Sequence, residues 1–283
     1  MTASPPPPKR PQSDSQDPFV TFTKASNLYA ILFNFRSLAT RRQLSRTYAT
    51  IASSTAFSGL GAYIHIYQVI PYVQGGILSF MVSIFALLSL SFGYPFIRGD
   101  PSRATLRVGL LSAFSFAYGL SLGPLLDTLV SISNDSIVPT AFLLTTLIFV
   151  SFSSSAIFSQ RRSFLFLGGF LMATMSVLTV LGLMNIFIGS PLLFSIDLYA
   201  GLIAFCGFLL FDTQVIIERI ESTEESYRGT DFNSEYQHDT VQDALKLFMD
   251  AVSIFIRLAT ILAKNSAKKN EDEPKSTRRK MRG

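Results

Sequence analysis

LYAGLIAFCGFLLFDTQVII, Leu198–Ile217, and ALKLFMDAVSIFIRLATIL, Ala244–Leu262, are both long and apolar enough to cross a bilayer, yet each contains an aspartate: Asp212 in the first, Asp250 in the second. A charged carboxylate at that depth costs at least ~2.5–3.5 kcal/mol on insertion scales. An ionisable residue kept against such a cost marks a candidate functional site. Around Asp212 there is no basic residue inside its own run; the nearest, Arg219, lies two turns on at the edge. Asp212 therefore needs a partner from another helix, a water pocket or a proton.

The rest of the chain is of the same kind. Of its 283 residues 48% are hydrophobic and only 15% charged, where a soluble domain carries about 25% charged residues. The charges gather in the first ~46 and last ~20 residues and in short gaps between apolar runs, which is the pattern of spans and loops. Seven spans are expected, at 47–68, 76–97, 108–127, 138–159, 163–185, 197–218 and 243–263, each close to the ~20 residues a helix needs to cross the hydrocarbon. The fold class is therefore all-α, a polytopic membrane bundle of seven helices.

Outside the bundle at 47–263, Pro5–Pro8, Pro11 and Pro18 make 1–26 a solvated, extended tail. The stretch 27–46 mixes Leu28, Ile31, Leu32, Phe35 and Leu38 with Arg36, Arg41, Arg42 and Arg46. It reads either as an amphipathic surface helix or as a short helix on the protein's own loops. The C-terminal 264–283 is a basic tail suited to anionic lipid headgroups or an acidic partner. Gaps after the first, third and fifth spans contain no Lys or Arg, whereas those after the second, fourth and sixth hold Arg98, Arg103 and Arg107, then Arg161 and Arg162, then Arg219 and Arg228. This alternation places the N-terminus in the cytosol. The last span breaks the rule: either it is re-entrant, or it crosses and carries the basic tail over, and its ~21 residues suffice for a full crossing.

That last span is also the most polar, and its polarity is ordered. At 100° per residue Asp243, Lys246, Asp250, Ser253, Arg257, Thr260 and Lys264 fall within an arc of roughly 100°. Such a face cannot meet lipid, so the last helix is expected at the centre of the bundle. Lys246 precedes Asp250 by one turn and Arg257 follows it by two, so a purely structural neutralisation of Asp250 is an alternative to a switch. Two carboxylates brought together in a poorly solvated site cannot both ionise cheaply; they share a proton and titrate as a unit. Deprotonated, they repel one another and attract a hard cation, which makes Asp212 and Asp250 a transient calcium site; a shared proton or a cationic latch holds their helices together.

Lesser features have plainer readings. Gly119 and Gly123 suit close helix packing. His65, without a second histidine or an acid cluster, is an interfacial residue, and Cys206 is packing. The Asn134 sequon sits on too short a loop for glycosylation, and Glu221, Glu224, Glu225, Asp231, Glu235 and Asp239 fill a solvated loop.

Several segments in order resemble the Bax inhibitor-1 family of transmembrane proteins: GLGAYIHIYQ (Gly59–Gln68), LGPLLD (Leu122–Asp127), VPTAFLLTTLIFVSFS (Val138–Ser153), QRRSFLFLGGFLMA (Gln160–Ala173), GFLLFDTQVIIE (Gly207–Glu218) and LFMDAVSIFIRL (Leu247–Leu258). The resemblance covers roughly residues 27–265 and is nearest to the endoplasmic-reticulum cell-death suppressors of that family. It implies a last helix surrounded by the first six and a pH-sensitive calcium leak in the endoplasmic-reticulum membrane. The family's paired aspartates fall on Asp212 and Asp250. It further implies suppression of programmed cell death, restraint of the unfolded-protein response, and a basic latch from the loop before the third span, for which Arg107 comes first, then Arg103 and Arg98. One departure stands out: some animal members carry an acid one turn before the last-span aspartate, where this chain has Lys246. A cation there repels calcium and favours the ionised form of Asp250, with Asp243 and Arg257 as further modulators of the stripe.

Two function classes follow. One is a calcium leak gated by the aspartates, with the bilayer, calcium and protons as its partners, calcium as the permeating ion and no cofactor. The other is a membrane regulator or scaffold that binds Bcl-family apoptosis regulators and stress-sensor proteins. An enzyme is not expected, since HExxH, a phosphate loop and the GxGD context of intramembrane aspartyl proteases are all missing from the sequence. Nucleic acid is not an expected partner either.

Overall fold

Pro101 and Pro191 stand at the first position of long helices, where a missing N–H costs nothing, and Gly189 takes the left-handed conformation (φ 65°) that ends another. The computed structural model describes residues 38–70, 75–92, 101–132, 136–159, 164–227 and 239–272. Among these the regular structure is entirely α-helical: α1 Leu38–Ile66, α2 Ile77–Phe92, α3 Pro101–Ile132, α4 Ile137–Phe158, α5 Leu167–Ile188, α6 Pro191–Tyr227 and α7 Thr240–Asp272. Each expected span overlaps one helix. The tail 1–26, most of the 27–46 segment, Arg98, the Asn134 sequon, Arg161, Arg162 and the end of the basic tail lie outside the described residues.

Four helices, α3 to α6, are long and apolar enough to cross a membrane by length and composition. The protein is thus a multi-pass membrane protein. α2, at 16 residues, is shorter, and α7 carries the polar stripe. Side chains that would be costly in water cover the outside of the bundle: Phe170, Ile186 and Phe187 of α5 are exposed, Phe187 at 90%. Lipid is the solvent that makes such a surface stable.

Small residues bring α1 and α3 into backbone contact. A Cβ on Gly61 would lie 2.8 Å from the Leu120 nitrogen, one on Gly119 would strike the Ser58 backbone, and one on Gly123 would overlap the His65 ring. The Gly119–Gly123 pair is thus spent within the chain. Pro124 lies inside α3, so the Leu120 carbonyl one turn earlier lacks its helical donor; Gly75, just before α2, packs against that carbonyl. His65 fixes this corner. Its Nδ1 accepts from the Gly75 N–H (2.7 Å), and its Nε2 lies 3.2 Å from Asp127 Oδ2.

α7 is the centre. It packs on α3, α4 and α6 and is joined to α1 by a hydrogen bond from Gln43 Nε2 to Thr240 Oγ1 (2.6 Å). Ala244, Leu247, Phe248, Ile254 and Ala259 are all fully buried. Phe248 packs edge-on to Phe114 of α3 with ring centres 6.2 Å apart. α7 is one unbroken helix of 33 residues, ~50 Å long, and it continues through Lys264–Asp272, the first part of the expected tail. A re-entrant segment would have to double back; α7 instead brings Lys264 Nζ to Ser195 Oγ (2.5 Å), near the start of α6 and far from Arg219. The helix crosses the bundle completely.

Candidate functional site

α6 and α7 run antiparallel, and their register matches almost every charged residue of the α7 stripe with α6. Arg219 Nη1 bonds Asp243 Oδ1 (3.0 Å), Asp212 meets Asp250, the Arg257 guanidinium lies across Gly201, and Lys264 reaches Ser195. The stripe expected to point inward therefore has a specific reader, the penultimate helix. The opposite, apolar face of α7 fills the core.

At the middle of this seam the Asp212 and Asp250 side chains lie close enough for each carboxyl to act on the other. A carboxylate only accepts, so two neighbouring carboxyls can be joined only where one of them holds a proton. Asp250 is 6% exposed, and its Oδ2 has no hydrogen-bond partner among the described residues. Lys246, one turn earlier on α7, acts electrostatically on both aspartates. The pair thus has two alternative cations, a shared proton or the Lys246 ammonium, and separating the helices would free both carboxylates for a third. No group of three or more His, Cys, Asp or Glu side chains able to hold a metal occurs among the described residues. A divalent cation at the pair would keep water or carbonyl oxygens in its remaining positions, which suits passage rather than residence.

The other expected residues fall around this centre. Asp243 is fully buried and its partner Arg219 is a residue the sequence reading left as a loop charge. Arg257 lies with its guanidinium carbon 4.5 Å from the Phe205 ring centre, two turns from the pair. Arg103 lies in the first turn of α3 with its side chain outside the described residues. Arg107 is placed differently from the expected latch. Its Nη2 contacts Asp239 Oδ2 at 2.6 Å, both side chains being largely buried (14% and 11% exposed), while Asp239 Oδ1 accepts the Gln242 N–H (3.2 Å). Asp239 is the N-cap of α7, some eleven residues or ~16 Å before Asp250. Arg107 therefore grips the start of the central helix, not the aspartate pair. An acid immediately before an amphipathic run is a capping signal, and it was readable in the sequence.

Gln214, also missed, explains the rest of the FDTQ segment. While Asp212 faces α7, Thr213 bonds back to the Leu209 carbonyl (2.7 Å), and buried Gln214 accepts the Phe164 N–H (2.6 Å) and donates to Ser159 Oγ (2.5 Å). It clamps the connection between α4 and α5 to the helix that carries Asp212. Gln214→Leu should cost ~1–3 kcal/mol for the stranded partner groups, visible as a lower unfolding temperature in detergent with the aspartates untouched.

A family model described as "Inhibitor of apoptosis-promoting Bax1" matches residues 40–267. Bax inhibitor 1 of Rattus norvegicus is 38% identical over 253 residues, covering 89% of this chain and 98% of the rat protein. Bax inhibitor 1 of Homo sapiens is 36% identical over the same shares, and that of Arabidopsis thaliana 34% identical over 85% of this chain and 89% of its own length. With the family's match running from α1 to α7 and enclosing both aspartates, the chain belongs to the Bax inhibitor-1 family.

Proposed function

We propose that this protein is a pH-sensitive calcium leak of the endoplasmic-reticulum membrane that lowers luminal calcium and so suppresses programmed cell death, with Asp212 and Asp250 as its gate. The observation that carries this reading is the carboxyl pair itself, buried Asp250 beside half-buried Asp212 where the polar stripe of α7 meets α6. A shared proton holds the seam shut. Loss of the proton leaves two like charges that part the helices and offer oxygen ligands to a hard cation. Arg107 acts as a latch at one remove, through Asp239 on the start of α7. Purified protein in calcium-loaded liposomes tests the reading: it should release calcium at a rate that changes with pH, and calcium retention at every pH would reject it.

The second reading is a non-conducting regulator that binds Bcl-family apoptosis regulators and stress-sensor proteins. The position of Lys246 favours it, because a tethered cation beside the pair can neutralise the aspartates without any ion passing. Lys246→Ala separates the two readings. It should raise calcium efflux if the lysine competes with calcium and leave a silent protein silent if the aspartates only hold helices together.

The topology in this reading has the N-terminus in the cytosol, from the alternation of basic gaps, and α7 crossing fully, which carries the C-terminus to the lumen. In sealed microsomes a protease added outside should remove an N-terminal tag and spare a C-terminal one. A protected N-terminal tag would invert the assignment.

A further inference from the structure

His65 and Asp127 meet at the corner where α1 ends, the connection to α2 arrives and Pro124 interrupts the hydrogen bonding of α3. The imidazole uses both of its nitrogens there. Nδ1 accepts the Gly75 N–H (2.7 Å), so the ring hydrogen is on Nε2, which faces Asp127 Oδ2 (3.2 Å). The ring is 12% exposed and the carboxylate 51%, so water reaches the corner at Asp127. Gly75 lies directly on α3: a Cβ on it would strike the Leu120 carbonyl and come within 2.8 Å of Pro124 Cδ. Asp127 is the charged group that faces the ring. Otherwise Ile51–Ile66 of α1, Ile77–Phe92 of α2 and Leu120–Ile132 of α3 contain one ionisable side chain, Tyr63, and its ring packs on Tyr67 with centres 4.5 Å apart.

An imidazole changes charge between pH 5 and 8, and only its neutral form fits this corner. An added proton goes to Nδ1, the atom that accepts from Gly75. Two N–H donors then face each other, and that hydrogen bond is lost. On the other side the same proton strengthens the contact, because an imidazolium and a carboxylate make a charge-assisted pair. The sign is therefore fixed: the bridge to Gly75 is complete while the ring is neutral and is lost as pH falls through its titration. We propose that His65 is a proton-sensitive clasp, which in its neutral form fastens the α1–α2 connection to α3 through Gly75 and in its protonated form keeps Asp127 and lets the connection go. Its position sets which side it senses. Asp127 follows Arg107 by ~30 Å along α3, the thickness of the hydrocarbon, so the clasp and the Arg107–Asp239 contact stand at opposite faces of the membrane. It is also ~20 Å along α3 from Phe114, the residue that packs on Phe248 beside the aspartate pair. The clasp thus answers to the acidity of the compartment opposite the start of α7, the lumen in the topology proposed above, and it acts whether or not the protein conducts calcium.

Hydrogen exchange of the full chain in nanodiscs, read at the Gly75 amide by electron-transfer fragmentation and divided by the intrinsic rate at each pH, tests it. In wild type this amide should be protected at about pH 8 and about tenfold less protected at about pH 5, equivalent to ~1.4 kcal/mol, while amides within α4 keep their protection. His65→Gln cannot take up the charge and should show the same Gly75 protection at both pH values. Asp127→Asn removes the partner of the imidazolium and should move the loss of protection to lower pH; it keeps the side-chain volume, so it tests the clasp even if His65→Gln fails to fold, which unfolding temperatures check. A Gly75 amide unprotected at about pH 8, a wild-type protection that does not change with pH, or a loss that survives in His65→Gln overturns the clasp. A loss at the wild-type pH in Asp127→Asn overturns the part assigned to that carboxylate.

Discussion

Asp212→Asn and Asp250→Asn should each flatten the pH dependence of calcium efflux from proteoliposomes, and the double variant should add little to either. The reason is that, in the proposed gate, the two carboxyls titrate as one unit. Coupled groups interact by more than about one pK unit, ~1.4 kcal/mol, so losing either partner shifts the shut-to-open ratio about tenfold. Additive effects would instead describe two independent sites. An Asn retains the size of Asp and its capacity to hydrogen-bond, so both variants should fold, and unfolding curves in detergent would verify this. If efflux and its pH response are wild-type in both variants, the gate falls and the regulator reading takes its place.

Arg107→Ala carries the second large effect. It leaves Asp239, 11% exposed, without the guanidinium at the point where α7 begins. Breaking a buried pair from one side costs ~3–5 kcal/mol, and residual water at both side chains puts the expected loss at the lower end. Asp239→Asn separates the two functions of that acid, since Asn caps a helix as well as Asp but cannot pair with a cation. Both variants should raise the resting leak if the contact latches α7. A loss of stability without a change in leak would make Arg107 a fastening alone.

Much of this was legible in the sequence, because bilayer crossing is a matter of length and apolarity and both are written into it. The polar arc of α7, Asp243 to Lys264, is set by helical periodicity, and it predicted a buried, central helix. The two aspartates were legible by cost alone. The partners were not. Arg107 and Asp239 are 132 positions apart, and spacing on one helix carries no information about which element of another helix it meets. Gln214 was hidden for the same reason: a glutamine at the end of an apolar run reads as an interfacial residue until the Ser159 and Phe164 ends of a neighbouring connection are brought to it. His65 was read as solitary because Gly75 and Asp127 reach it from two other elements. The match of Lys264 with Ser195 also lay beyond periodicity, since the two are 69 positions apart on different helices.

A proton shared between Asp212 and Asp250 is the centre of the proposed gate. Infrared difference spectroscopy of the protein in lipid, recorded as pH is varied, reads the carbonyl stretch of a protonated carboxyl. Wild type should show one such band that titrates together with the change in calcium efflux, and Asp212→Asn and Asp250→Asn should each move or abolish that titration. A wild-type spectrum without the band, or a band that persists unchanged in both variants, would contradict the shared proton.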